Sequence, residues 1–226
     1  MNSGSPVEIL YYTDILCIWA YAAQIRIDEL KKQYGDRISI RNRFVSVFGS
    51  TDERIGRGWE NRGGYDGFSD HVIEVAAGFP HIDVNPAVWR SCRPRSSATS
   101  HLFVKAAQLL QGDSEIDAPA VVDLEWRIRC AFFMDARDIG ETSVLVDIAD
   151  CMGLPGDRIR DRMLDGSALA GLSVDMEHKT THQLQGSPTL LMNNGRQKLY
   201  GNVGYRVMEA NVAELLENPE ERASWC

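Results

Sequence analysis

The chain has 226 residues, 44% of them hydrophobic, a composition that supports a packed core and excludes global disorder. Its 32 acidic residues outnumber its 24 Lys and Arg, giving a formal net charge of −8, which argues against nucleic-acid or anionic-membrane partners. No apolar run reaches the roughly 18 residues of a membrane span.

Met1-Asn2-Ser3-Gly4-Ser5-Pro6 has neither a basic start nor an apolar stretch, so it does not read as a signal peptide. Val7-Glu8-Ile9-Leu10-Tyr11-Tyr12 is rich in β-branched and aromatic residues, a strand pattern. Ala20, Ala23, Ile27, Leu30 and Tyr34 then recur at helical spacing, which predicts a helix over 19–34 ended by Gly35-Asp36. Residues 37–45 alternate polar with apolar at first, a second strand. The three elements make a βαβ unit, nearly always right-handed. Residues 49–68 are polar and Gly-rich and predict a long irregular, mobile loop near the site. Helical patterns follow over 70–79, 96–110, 120–133, 142–152, 158–164 and 168–184. Strand character returns at 189–192; Asn193-Asn194-Gly195 is a hairpin signal, with 198–200 as the partner strand. A last amphipathic helix covers 205–216. The two ends are α/β and the middle is helical.

Cys17 falls where the first strand gives way to the first helix. First-turn N–H groups lack intrahelical partners there, and the helix dipole favours negative charge. Such a thiol is expected to ionise more readily than a free one, and the thiolate is the reactive form.

The stretch Asp14-Ile15-Leu16-Cys17-Ile18-Trp19-Ala20-Tyr21 resembles the active-site turn of the thioredoxin superfamily, in its DsbA-like branch with the FrnE-type proteins. That branch usually reads Asp-x-x-Cys-Pro-Trp-Cys-Tyr. Here Ile18 replaces the Pro, and Ala20 replaces the second Cys. The resemblance implies a thioredoxin fold, α/β in class, with a helical domain inserted after the second strand: residues 1–48 and 185–226 for the former, 49–184 for the latter. It also implies that Pro188, in Gln185-Gly186-Ser187-Pro188-Thr189, is a cis-proline facing Cys17, with the Ser187 backbone N–H and C=O unpaired for an extended peptide or glutathione.

Because Ala20 cannot resolve a mixed disulfide, the resemblance implies a monothiol oxidoreductase. Its nucleophile is Cys17, with Pro188 shaping the docking edge and Trp19, Ala20, Ser187 and Asp14 contacting substrate or glutathione. A glutathione-dependent isomerase or transferase, of the 2-hydroxychromene-2-carboxylate isomerase or kappa type, is the alternative. A non-catalytic binding scaffold is the third reading. Asp14 alternatively serves turn formation, and Tyr21 helix packing. No tightly bound cofactor is expected. Glutathione is the candidate cosubstrate, small-molecule or peptide thiols and disulfides are the partners, and a homodimer is compatible.

The five cysteines, Cys17, Cys92, Cys130, Cys151 and Cys226, are widely scattered, which fits free thiols in a reducing, cytoplasmic setting. Cys130 and Cys151 read as core residues and Cys92 as a solvated loop thiol. Cys226 reads as a loose end, with a distant resolving role as the alternative. Arg90, Arg93 and Arg95 read as a solvated loop. His178 and His182 share a helix face but lack the Glu of a zincin, so no metal site is expected. Gly56-Arg57-Gly58 follows no strand and is not a dinucleotide fingerprint.

Overall fold

The computed structural model describes residues 6–218. A four-stranded sheet is built from β1 (Val7–Thr13), β2 (Ile38–Phe44), β3 (Thr189–Met192) and β4 (Gln197–Tyr200), in the order β2-β1-β3-β4. β1 runs parallel to β2, with Val7 opposite Ile38 and Thr13 opposite Phe44. β3 is antiparallel to both β1 and β4. The parallel β1–β2 pair requires a crossover, and α1 (Ile18–Tyr34) supplies it.

Period-two alternation along β1 decides what each sheet face buries. Val7, Ile9 and Tyr11 point to one face. There they meet Ile27 and Leu30 of α1 and Met208, Val212 and Leu215 of α8 (Tyr205–Glu217). Leu10 and Tyr12 point to the other, against Val45, Leu184 and Leu191. Each fully buried aliphatic or aromatic side chain contributes about 1.5–3 kcal/mol by leaving water.

Between β2 and β3 the chain is helical: α2 (Gly64–Ala77), α3 (Ala98–Gly112), α4 (Ala118–Phe133), α5 (Thr142–Cys151), α6 (Gly156–Leu164) and α7 (Ser167–Thr181). The largest core cluster joins these helices to the first turn of α1, running from Ile15, Leu16 and Tyr21 through Trp89 to Phe132 and Leu145.

Boundaries largely follow the sequence periodicity, with one substantive correction. The predicted irregular loop over 49–68 is instead a π-helical turn (Asp52–Arg57), a 3₁₀ turn (Glu60–Arg62) and the start of α2. Two of its glycines, Gly58 and Gly67, sit hard against backbone carbonyls. A Cβ at Gly67 would lie 1.8 Å from the Arg62 carbonyl oxygen, so only glycine fits. The β3–β4 hairpin behaves as its sequence indicates: Asn193, Asn194 and Gly195 all take positive φ, which Asn and Gly tolerate best.

Candidate active site

Cys17 occupies the N-cap position of α1, with extended backbone, and its carbonyl accepts the Tyr21 N–H at 3.0 Å. Its thiol donates to the Ser187 carbonyl at 3.5 Å. The Ser187–Pro188 bond is cis, as the resemblance implies. The Ser187 carbonyl is therefore engaged by the sulfur rather than unpaired. Ser187 holds the turn a second way, since its Oγ accepts the Asp14 N–H at 2.9 Å. Two segments at opposite ends of the chain are thus locked together.

The thiol's ionisation departs from the sequence expectation. Cys17 is only 4% exposed. Burial is the largest influence and pushes its pKa up; the hydrogen bond with Ser187 and the N–H groups of Ala20 and Trp19 pull it down without prevailing. The buried Asp14 carboxylate adds a smaller upward push. Helix-start donors are present, but desolvation outweighs them because the helix begins inside the core rather than at the surface.

Asp14 is fully buried. One carboxylate oxygen accepts the Leu16 N–H at 2.9 Å. The other accepts the Val47 N–H at 2.8 Å, the Phe48 N–H at 2.9 Å and the Ser97 hydroxyl at 2.9 Å. His101 lies 3.6 Å away and its Nε2 accepts the Ile15 N–H at 3.2 Å. Burial would raise the Asp14 pKa, but His101 and the Phe48 and Leu16 N–H groups outweigh it and hold the carboxyl below its usual range. Asp14 therefore fixes the turn and does not reach a substrate, which corrects the binding role the resemblance implies. Ala20 is likewise fully buried and is no wall of the site.

The site itself is a cleft of about 430 Å³. Cys17, Ile18 and Trp19 contribute one side, Val47 and Phe48 another, and Gly186, Ser187 and Tyr200 a third. Trp59 and Phe68, from the Gly-rich stretch 49–68, and His71 of α2 close it, so that stretch lies beside the site as expected. Arg54 and Lys179 complete the rim. Trp19 is half-buried, lines the cleft and packs edge-on against Phe79 at 6.2 Å. Pro188 is buried behind Ser187. Tyr21 turns away from the cleft and stacks on Phe133 at 4.7 Å and Trp126 at 5.2 Å, a packing role.

Of the predicted site residues, Cys17, Trp19 and Ser187 share one wall system. Arg54, His71, Lys179 and Tyr200 were not singled out; each is an ordinary polar or half-exposed residue in its own local pattern, and only folding brings them together.

Two other cysteines trade places relative to expectation. Cys92 is buried, and burial pushes its thiol up to about 11. Cys151 is exposed and Cys130 half-buried. Cys17, Cys92, Cys130 and Cys151 are all unpaired, and Cys226 lies outside the described residues. Arg90 and Arg93 pair with Asp70 and Asp66, away from the cleft. The His178 and His182 rings lie 6.0 Å apart, and no cluster of three or more His, Cys, Asp or Glu suited to a metal occurs among the described residues. No described helix is long and apolar enough to cross a membrane.

No protein-family model and no curated protein matches the chain. Solved structures do. A Nitrosomonas europaea protein provisionally described as a protein disulfide isomerase aligns over 94% of this chain and 98% of its own, with TM-score 0.74 and 13% identity. A probable DsbA oxidoreductase from Streptomyces coelicolor aligns over 97% and 93%, with TM-score 0.70 and 16% identity. The cytosolic disulfide reductase DsbM from Pseudomonas aeruginosa aligns over 91% and 98%, with TM-score 0.65 and 20% identity; it has also been crystallised with glutathione. The chain has the thioredoxin fold with helical insertion that these DsbA-like proteins share.

Proposed function

We propose that the protein is a monothiol thiol–disulfide exchange enzyme of the DsbA-like type, with Cys17 as nucleophile and glutathione as cosubstrate. The observation that carries this reading is the contact of the Cys17 thiol with the Ser187 carbonyl, 3.5 Å across the cis peptide, on the floor of an open cleft. Deprotonated Cys17 attacks one sulfur of a bound disulfide. The substrate S–S bond breaks, a Cys17 mixed disulfide forms, and the other half leaves as a thiolate. Ala20 cannot displace the adduct, so an external thiol must attack it and release Cys17. Electrons balance within the exchange.

The raised pKa of Cys17 shapes the kinetics. Little thiolate is present at neutral pH, but the anion of a weakly acidic thiol is the stronger nucleophile. The same property makes Cys17 a slow leaving group, so its mixed disulfide is long-lived. The reading places the protein in a reducing compartment such as the cytoplasm, which the unpaired cysteines support.

The test is exposure of the chain to oxidised glutathione, followed by intact-mass and peptide analysis. A glutathione adduct on Cys17 that is lost in Cys17→Ser, together with exchange activity, is the expected result. Exchange that survives Cys17→Ser undiminished overturns the nucleophile assignment. Isomerase or transferase turnover in that variant points to the role in which Cys17 only holds glutathione.

A further inference from the structure

The cleft over Cys17 carries a charge opposite to that of the chain. The molecule's net charge is −8, yet no Asp or Glu lines this cleft, whereas Arg54, Lys179 and His71 do. Arg54 belongs to the π-helical turn after β2, and Lys179 to the last turn of α7. The carboxylates nearest in sequence to Arg54 are engaged elsewhere: Asp52 and Glu53 face Arg57 at 3.7 and 2.8 Å. Asp14 lies buried beneath the floor, its oxygens accepting from Leu16, Val47, Phe48 and Ser97. Among the described residues neither Arg54 nor Lys179 has an ion-pair partner, while Arg57, Arg90, Arg137 and Arg158 all do. Two unpaired cations lining a cleft with apolar and aromatic walls make the cleft's entrance favourable to anions. The volume, about 430 Å³, is that of a small-molecule site rather than of a groove for a polypeptide.

We infer that this cleft selects low-molecular-weight disulfides and thiols bearing two or more carboxylates, and that Arg54 and Lys179 are the specificity-determining residues that receive them. The inference rests on the Cys17 exchange reading and names its substrate class. The chemical step is the exchange already balanced above; the two cations take no part in bond making and act on capture and orientation.

The test compares two symmetrical disulfides of similar size, dianionic 3,3′-dithiodipropionate and neutral bis(2-hydroxyethyl) disulfide. Each rate of Cys17 adduct formation is divided by the rate of the same disulfide with free 2-mercaptoethanol under the same conditions. At low ionic strength the native chain is expected to favour the dianion by about tenfold or more. That preference should shrink as salt is added and fall toward unity in the Arg54→Gln/Lys179→Gln double variant. Doubly cationic cystamine, which needs no variant, should react more slowly than the neutral disulfide after the same normalisation. Equal normalised rates in the native chain, faster reaction with cystamine, or a preference untouched by the double substitution overturns the selection while Cys17 exchange stands. Absence of Cys17-dependent reaction with any of the three overturns the exchange reading, and the inference with it.

Discussion

Cys17 and Asp14 divide the labour of one turn: the first supplies a sulfur, the second holds it in place. Because burial raises the Cys17 pKa, its adduct formation with oxidised glutathione should climb about tenfold per pH unit from neutrality until the thiol titrates. A rate that is flat above pH 7 would contradict this, and stopped-flow thiol release reads it. Removing the Asp14 carboxylate strands three donors in the core, the N–H groups of Leu16 and Phe48 and the Ser97 hydroxyl, while the Val47 N–H keeps the Val45 carbonyl at 3.0 Å. At about 1–3 kcal/mol per stranded group, with partial relaxation, Asp14→Ala should lose about 3–5 kcal/mol in denaturant titrations. Its pH dependence has a definite sign. The folded-state pKa is depressed, so the Asp14 contribution is complete above the unfolded value of about 3.9 and is lost as pH falls through the folded one. Ala20 tests the monothiol limit. Ala20→Cys places a second sulfur one helical turn from Cys17, and oxidised glutathione should then release two equivalents of glutathione per chain instead of one, leaving an intramolecular disulfide. Continued release of a single equivalent would show that the turn cannot support dithiol chemistry.

At the scale of elements, buried charge ties the helices to the carboxyl ends of β1 and β2. Asp175 of α7 is fully buried and meets Lys105 of α3 at 2.6 Å, Arg43 of β2 at 2.7 Å and the Phe44 N–H at 3.0 Å. On α4, Arg129 binds Glu125 at 3.0 Å and reaches the Asp14 carbonyl at 3.2 Å and the Thr13 hydroxyl at 3.3 Å. Glu125 also accepts from Asn42 at 2.7 Å. These contacts leave one partner buried and charged if the other is cut. Asp175→Ala, which abandons Lys105 and Arg43, should cost about 3–5 kcal/mol of unfolding free energy and loosen the β2–α3–α7 junction, with amide exchange at Phe44 speeding up. A cost under 1 kcal/mol would mean that water reaches this junction. Helix positions were legible because apolar residues recur with period 3.6 in 98–112 and 118–133. The junctions were not, since Lys105, Glu125, Arg129 and Asp175 each look like ordinary solvent-facing charges in their local windows.

Across the whole molecule, one hydrophobic cluster runs from the first turn of α1 into the helices between β2 and β3. Cys17 and Trp89 lie in it together. The sheet and the helical segment should therefore unfold together, with far-ultraviolet circular dichroism and intrinsic tryptophan fluorescence, to which Trp19 of α1 and Trp89 of the helical segment both contribute, tracing one coincident transition. A helical segment that melts first would separate the two signals.

The amino-acid order alone determined the strand–turn–helix around Cys17 and the helical stretch between two strand-bearing ends, both written in local spacing; the cis-proline at Pro188 was implied by the family resemblance. Only the tertiary structure decided how deep the sulfur lies, which carboxylate is spent on the turn and which cations surround the cleft. Desolvation and long-range pairing depend on what packs from elsewhere in the chain: burial turned an expected acidic thiol into a weakly acidic one, enclosed Cys92 and left Cys151 in solvent. Arg54 and Lys179, remote in sequence, line one cleft with Cys17 because the fold of the chain between β2 and β3 brings them there.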